Sequence, residues 1–581
     1  LPGGFSRFVL AKLLVTAVAV VLAAGARPAG ALPRPLLLLG VAWAACFALA
    51  AVLGETSLAS LLGRWPRYEG LPTLAVYAGA CWVGARVTGR GPSATARLHG
   101  VVAAVAIVLA AFSLLNVAGV TPLGTSTDAR SGSVLDNATD QGAVAMMAAL
   151  LLAGPALGLA RSRSRARAAR GGPVPWLTVA GQVAAVTTVA VSGSRTALAL
   201  TAFGLVVTVV VQARQARRTT SASPGGAATS RTLLAGGGVV GCLVAAALLV
   251  PTTRDRLLGL GTADGRLQQW RLTLDLVLDH PVLGLGGSRY VDAFLVHESP
   301  AFVDFTGPQR LADSPHSVVL QVLLAGGIVL LALTAAGLYV VARRVRVVLV
   351  EHPETGPAAL AVTAYLALLC VNFTTAGPTC FAALLLGAVV AVPPPARDRS
   401  GAPVGAVAAA LAVVLVAAAV GDVQLRRAVD AADRQDSARA GELVEQASRW
   451  RPWDVDLDVI AARVLAGEAA LGDPGAAQRA EVLAREALAR VPDSYESLVA
   501  LGVALSAQGR LTEAEATLDR AVALAPHRPD GYVQRAIART GLERYDDALA
   551  DLDRARRILP GSPVVRRLAR AVGRAQARDS D

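Results

Sequence analysis

Cysteine is scarce in this chain: Cys46, Cys81, Cys242, Cys370 and Cys380 all lie in apolar runs, with no CxxC pair and an odd total. That spacing argues against a disulfide framework or a thiolate zinc site and reads as small residues in a core. Lysine is rarer still. Lys12 is the only one, so the positive charge is carried by arginine, and with Ala, Val and Gly dominant the composition points to a GC-rich bacterial genome. Acidic residues are nearly absent from the apolar runs, whereas a transporter would show intramembrane acids near the midplane. Long apolar runs are what the chain does have. At 54% hydrophobic and a mean hydropathy of +0.52, its 581 residues are too many and too apolar for one soluble domain.

The charge divides at Gly421. Before it stand 31 basic and 16 acidic residues, after it 24 and 26, so the net +13 belongs to the apolar part. A nucleic-acid binder would carry its arginines on a solvated face, but here they sit in short clusters between apolar runs. About 20 apolar residues cross a 30 Å bilayer core. Runs of suitable character lie at 8–26, 35–53, 71–87, 98–117, 141–160, 173–191, 197–213, 232–250, 316–342, 358–376, 379–392 and 403–420. Three arginine clusters, 161–170, 214–218 and 343–346, fall on one side of the alternating count, and that side is assigned to the cytoplasm. The segments 54–70, 118–140 and 251–315, and everything after 420, then face outward. Leu1 also falls outside, which suggests a further span ahead of it.

Past 421 the pattern becomes amphipathic helix. Pro492, Pro526 and Pro560 recur every 34 residues, and Pro452 precedes them by 40. Ala440 and Ala447, Ala480 and Ala487, Ala514 and Ala521, and Ala548 and Ala555 keep the same register. A 34-residue period of paired helices is the tetratricopeptide signature: small residues sit where the helices cross, and proline ends the second helix. The expected architecture is all-α, a membrane domain over 1–421 followed by a repeat domain over 422–581. The repeats read as a docking surface for a protein partner, or as a spacer.

Ionisable residues at a membrane boundary are the natural candidates for chemistry. Ser192-Gly193-Ser194-Arg195-Thr196 is a polar break on the outward side; the competing reading is an arginine snorkelling to headgroups. His316 stands where the long outward loop re-enters the membrane, and an imidazole suits a general base near neutrality; the competing reading is an interfacial helix cap. Arg266, Trp270 and Arg271 open a helical stretch in that loop, before Pro281 and Gly284-Leu285-Gly286-Gly287-Ser288-Arg289-Tyr290. The glycines do not form a nucleotide loop, for no strand precedes them and the side is wrong. Arginine forks match diphosphate oxygens, and a histidine beside them can take a proton from an incoming hydroxyl.

Five stretches together resemble the O-antigen ligase and polymerase superfamily, in particular members with C-terminal tetratricopeptide repeats. They are Arg67-Tyr68-Glu69-Gly70-Leu71; Arg130-Ser131-Gly132-Ser133 with Asn137; Ser194-Arg195; Arg266 and Trp270 through Gly284-Leu285-Gly286; and His316 with Leu320, Gln321 and Gly326. The resemblance implies a helical body like that of class C glycosyltransferases, on the outer face of a bacterial cytoplasmic membrane. It implies transfer of a glycan from a polyprenyl-diphosphate carrier to an acceptor hydroxyl, with no metal and no nucleotide cofactor. Carried over by motif, His316 activates the acceptor, Arg195 and Arg266 hold the diphosphate, and Arg67, Arg130 and Arg289 line the cavity. The chain departs in having Ser317 after the histidine, where the family often has Asn, and in lacking the helix that commonly precedes its first span. Two alternatives stand beside a ligase: a polymerase of the same superfamily, and a non-catalytic membrane scaffold with a docking domain.

Overall fold

The computed structural model describes residues 9–65, 67–89, 91–120, 135, 137–161, 175–219, scattered positions over 237–255, 261–308, 311–434 and 436–580. Arg130 and most of the run at 232–250 lie outside these. Among the described residues the regular structure is helical. Six helices are long and apolar enough to cross a membrane: Arg34–Leu53, Ser93–Val117, Ala138–Leu157, Arg195–Arg214, Val318–Glu351 and Gly401–Ala432. Shorter apolar helices, including Val9–Ala24, Trp176–Ser192 and Ala376–Val390, fill the bundle. The chain is a multi-pass membrane protein.

Ala138–Leu157 forms the centre of the bundle, with Met146, Met147, Leu150 and Leu152 fully buried, while the flanking helices turn Leu22, Leu38, Val41 and Val413 outward toward lipid. No hydrophobic force separates a helix from lipid tails, so close backbone packing has to hold helices together. Helices Leu71–Val87 and Ala376–Val390 do this through Gly84 and Gly387, where an added Cβ would run into the facing Leu384 and Cys81 carbonyls.

Val318–Glu351 is not one continuous helix. Gly326 and Gly327 leave helical geometry, Gly327 at φ +60°, and the backbone groups they release are taken up by the segment after Pro281. Leu285 N–H donates to the Leu324 carbonyl at 2.7 Å, and Ile328 N–H donates to the Pro281 carbonyl at 2.9 Å. A break at membrane depth is tolerated only with such replacement partners. The fit is tight, because a Cβ on Gly327 would overlap the Val282 carbonyl and one on Gly284, itself at φ +66°, would overlap that of Leu324.

The last membrane helix, Gly401–Ala432, runs without interruption into the first repeat, where Ala428 and Ala431 pack on Ala440, Leu443 and Val444 of helix Ser437–Trp450. Helix pairs Val455–Ala470 with Pro474–Arg490, Tyr495–Ala507 with Leu511–Leu524, and Pro529–Gly541 with Tyr545–Ile558 follow, closed by Pro563–Ser580. All eight alanines of the sequence register are fully buried. Asp436, Asp454, Asp473 and Ser494 cap helix N-termini by accepting backbone N–H bonds.

The repeats fold back onto the membrane domain through buried ion pairs. Arg64 lies between Asp292 and Asp456; Arg289 bonds both carboxylate oxygens of Asp493; Arg451 meets Asp422, Asp454 and the Tyr68 hydroxyl. Arg528 grips Glu298 with two nitrogens and the Pro308 carbonyl with a third. Leu295 packs among Tyr495, Leu498 and Ala521.

Two stability predictions follow from this packing. Gly327→Val is expected to cost roughly 3 kcal/mol or more through backbone strain and overlap, whereas Gly337→Ala, which meets nothing within 4 Å, is near neutral; thermal unfolding in detergent checks both. Arg528 and Glu298 are 2% and 1% exposed. Removing either partner alone should therefore cost about 3 kcal/mol, while Arg528→Met with Glu298→Leu recovers most of it. Limited proteolysis of the repeats measures the difference, and a double variant as weak as the singles would contradict it.

Candidate active site

His316 is positioned through the turn that precedes it and through the packing of its ring. From helix Gly261–Asp279, Gln269 donates to the Ser314 carbonyl at 2.7 Å and Trp270 to the Pro315 carbonyl at 2.8 Å, fixing the turn that precedes it. Its own backbone sits at φ +50°, a strained conformation for a residue with a side chain. Tyr68 and Ser288, two of the other described non-glycine residues at positive φ, flank the same region. Its ring packs against Phe373 with centroids 5.0 Å apart, and Asn372 lies within hydrogen-bonding reach.

Arg67 completes the arrangement. Its guanidinium lies 3.3 Å above the Phe373 ring and makes two bonds to Asp313, at 3.1 and 3.0 Å. Arg266 reaches the same stretch from another side, donating to the Val371 carbonyl at 3.0 Å. Residues 371–375 are thus the common floor, with Val371 meeting Arg266, Asn372 and Phe373 meeting His316, and Thr374 donating to Glu69 at 2.7 Å.

These contacts set the charge states. Burial, with Arg67 and Arg266 nearby, pushes the His316 imidazole down to about 4, so it is neutral at pH 7 and able to accept a proton. Its Nδ1 is buried without a hydrogen-bond partner. Burial alone would raise the Asp313 carboxyl, but Arg67 and His316 bring it below the usual range. Glu69 goes the other way, raised by burial in spite of Arg67 and the bonds from Thr374 and Gln321.

Beside the histidine opens a cavity of about 180 Å³, lined by Trp43, Trp65, Arg67, Glu69, Arg289 and Gln321 among others. Of the candidate site residues, Arg67 and Arg289 line it, while His316 stands just outside the wall, between the lining residues Pro315 and Val318. Arg195 and Arg266 do not line it. Arg195 opens helix Arg195–Thr219 after the Ser192–Ser194 turn, half-buried, and that turn packs on Gly142. Arg289 is engaged by Asp493 of the repeats and by Glu55.

Sequence reasoning passed over Asn372, Phe373 and Arg64. Residues 358–376 read as one apolar run, yet the helix ends at Leu369 in a tight turn, and the polar cluster Asn372, Thr374 and Thr375 was the available signal. Arg64 had no sign of its role, since its partners stand 228 and 392 positions away.

Residues 180–335 match the family model described as O-Antigen ligase, and residues 473–540 match that described as Tetratricopeptide repeat. No curated protein matches the chain. The first match contains Arg195, Arg266, Arg289 and His316, and Arg67 lies ahead of it. The molecule thus joins a membrane helical bundle, of which residues 180–335 match the O-antigen ligase model, to helical repeats that match the tetratricopeptide model.

Proposed function

Proceeding from the O-antigen ligase match, we propose that the protein is a membrane glycan ligase working on the outer face of a bacterial cytoplasmic membrane. It transfers an oligo- or polysaccharide from a polyprenyl-diphosphate carrier to an acceptor hydroxyl, needing neither metal nor nucleotide. The observation that carries this reading is a neutral, enclosed His316 next to Arg67 and Arg266 at one end of the bundle, beside a cavity. His316 takes the proton as the acceptor oxygen attacks the anomeric carbon. The bond from that carbon to the phosphate oxygen breaks, and the carrier diphosphate leaves with its charge met by Arg266 and Arg195. Arg67 holds Asp313 and the Phe373 face, which positions His316. The repeats, docked at the same end, lie outside the cell and offer a surface to a protein partner. A polymerase of the same superfamily would use the same residues; in a deletion strain, long glycans left on the carrier indicate a ligase, and single repeat units a polymerase.

His316→Ala is expected to slow transfer in proteoliposomes by about 10²–10⁴-fold with the protein still in the membrane. Arg195→Ala and Arg266→Ala should each weaken donor use. Full transfer by His316→Ala would remove the histidine from its role.

The pH profile gives a second test. With the imidazole at about 4 in the free protein, kcat/KM should hold as pH falls through 6 and drop only toward 4. A bound diphosphate offsets Arg266, favours protonation and moves the acid limb of kcat to higher pH. A kcat/KM limb at or above 6.5 would contradict the assignment.

A further inference from the structure

The cavity beside His316 is built for a different chemistry from the arginines beyond it. Its charges are already answered: Arg64 by Asp292 and Asp456, Arg67 by Asp313, Arg289 by Asp493 and Glu55, with Glu69 a further carboxylate on the wall. Three arginines against six carboxylates leave no surplus of positive charge to draw a diphosphate. Aromatic residues make up only 4% of the chain, yet Trp43, Phe47, Trp65 and Tyr77 gather on this wall, the first two stacked 5.6 Å apart. The same cavity is lined by Glu69, whose oxygens accept from Gln321 and Thr374 and have lone pairs to spare, and by Gln321, whose Oε1 is buried without a partner. Arg67 Nη1 is likewise buried and unpartnered.

Apolar flat faces opposite a few buried acceptors and donors suit a ligand with a C–H face and a rim of hydroxyls. We propose that this cavity seats one uncharged sugar ring, held by hydroxyl hydrogen bonds to Glu69 and Gln321 against the Trp43 and Trp65 side, apart from the diphosphate. The inference rests on the ligase reading and refines it. A sugar comes to this protein either as the acceptor or as part of the carrier-linked glycan, and both present the same ring chemistry. The ring chemistry itself is readable without turnover.

The test uses the full chain in detergent, with tryptophan fluorescence as the readout. Methyl glycosides of glucose, galactose, mannose and N-acetylglucosamine serve as probes, and inorganic pyrophosphate as competitor. At least one glycoside should bind saturably, without displacement by pyrophosphate, and Glu69→Gln and Gln321→Leu should each weaken it by about tenfold, the loss of one strong hydrogen bond. No saturable binding, displacement by pyrophosphate, or unchanged binding in both variants would overturn the proposal. Preloading with carrier-linked glycan separates the sources: displaced glycoside marks a donor ring, retained glycoside an acceptor ring. Transfer without glycoside binding removes this inference alone. Glycoside binding without transfer removes the ligase reading alone.

Discussion

A broken membrane helix needs its freed backbone groups satisfied, and in this protein the outward loop supplies the partners. The Leu324 carbonyl and the Ile328 N–H, on either side of Gly326-Gly327, bond to Leu285 and Pro281. Because an unmet peptide group in a bilayer costs several kcal/mol, the loop is held in that position rather than left to move over the surface. Much else depends on that placement. Ser288, Arg289 and Tyr290 follow the docked segment directly and form part of the cavity wall, and the eight residues ahead of the break carry Gln321 to Glu69. His316 precedes that short helical segment, and the turn just before it is clamped at Ser314 and Pro315 by Gln269 and Trp270 of the helix within the loop.

The repeat domain extends the same logic outward. Its first helix is the end of the last membrane helix, so its orientation is set by a continuous rod, and four buried arginines tie it to the membrane-domain loops, Arg64 through Asp456, Arg289 through Asp493, Arg451 through the Tyr68 hydroxyl and Arg528 through Glu298. Buried ion pairs contribute little net stability against apolar replacements, but they are costly to mispair. A partner bound to the repeats therefore sits on a surface joined to the cavity wall through Asp493 and Arg289.

The architecture was legible in the sequence because it is written in short periods. The 34-residue proline spacing and the paired alanines report local helix crossings, and every one of those alanines is buried at such a crossing. Apolar runs and the arginine imbalance report the membrane in the same local way. The site was only partly legible, because it is made by distant contacts. The two glycine groups, at 284–287 and 326–327, were each visible, but nothing in either shows that one fills the gap in the other. Arg289 reads as a cavity residue until Asp493, 204 positions on, is seen beside it. Asn372 and Phe373 were hidden inside an apolar run, although they meet the very histidine that the sequence singled out.

The account stands most directly on one measurement: single-turnover transfer by the purified protein in liposomes, from a polyprenyl diphosphate carrying a labelled glycan to a supplied acceptor. The reading predicts that label moves to the acceptor while unlabelled carrier diphosphate is released in equal amount, in the presence of a chelator and without nucleotide. Label that stays on the carrier under these conditions, with the protein folded and its repeats docked, would contradict it.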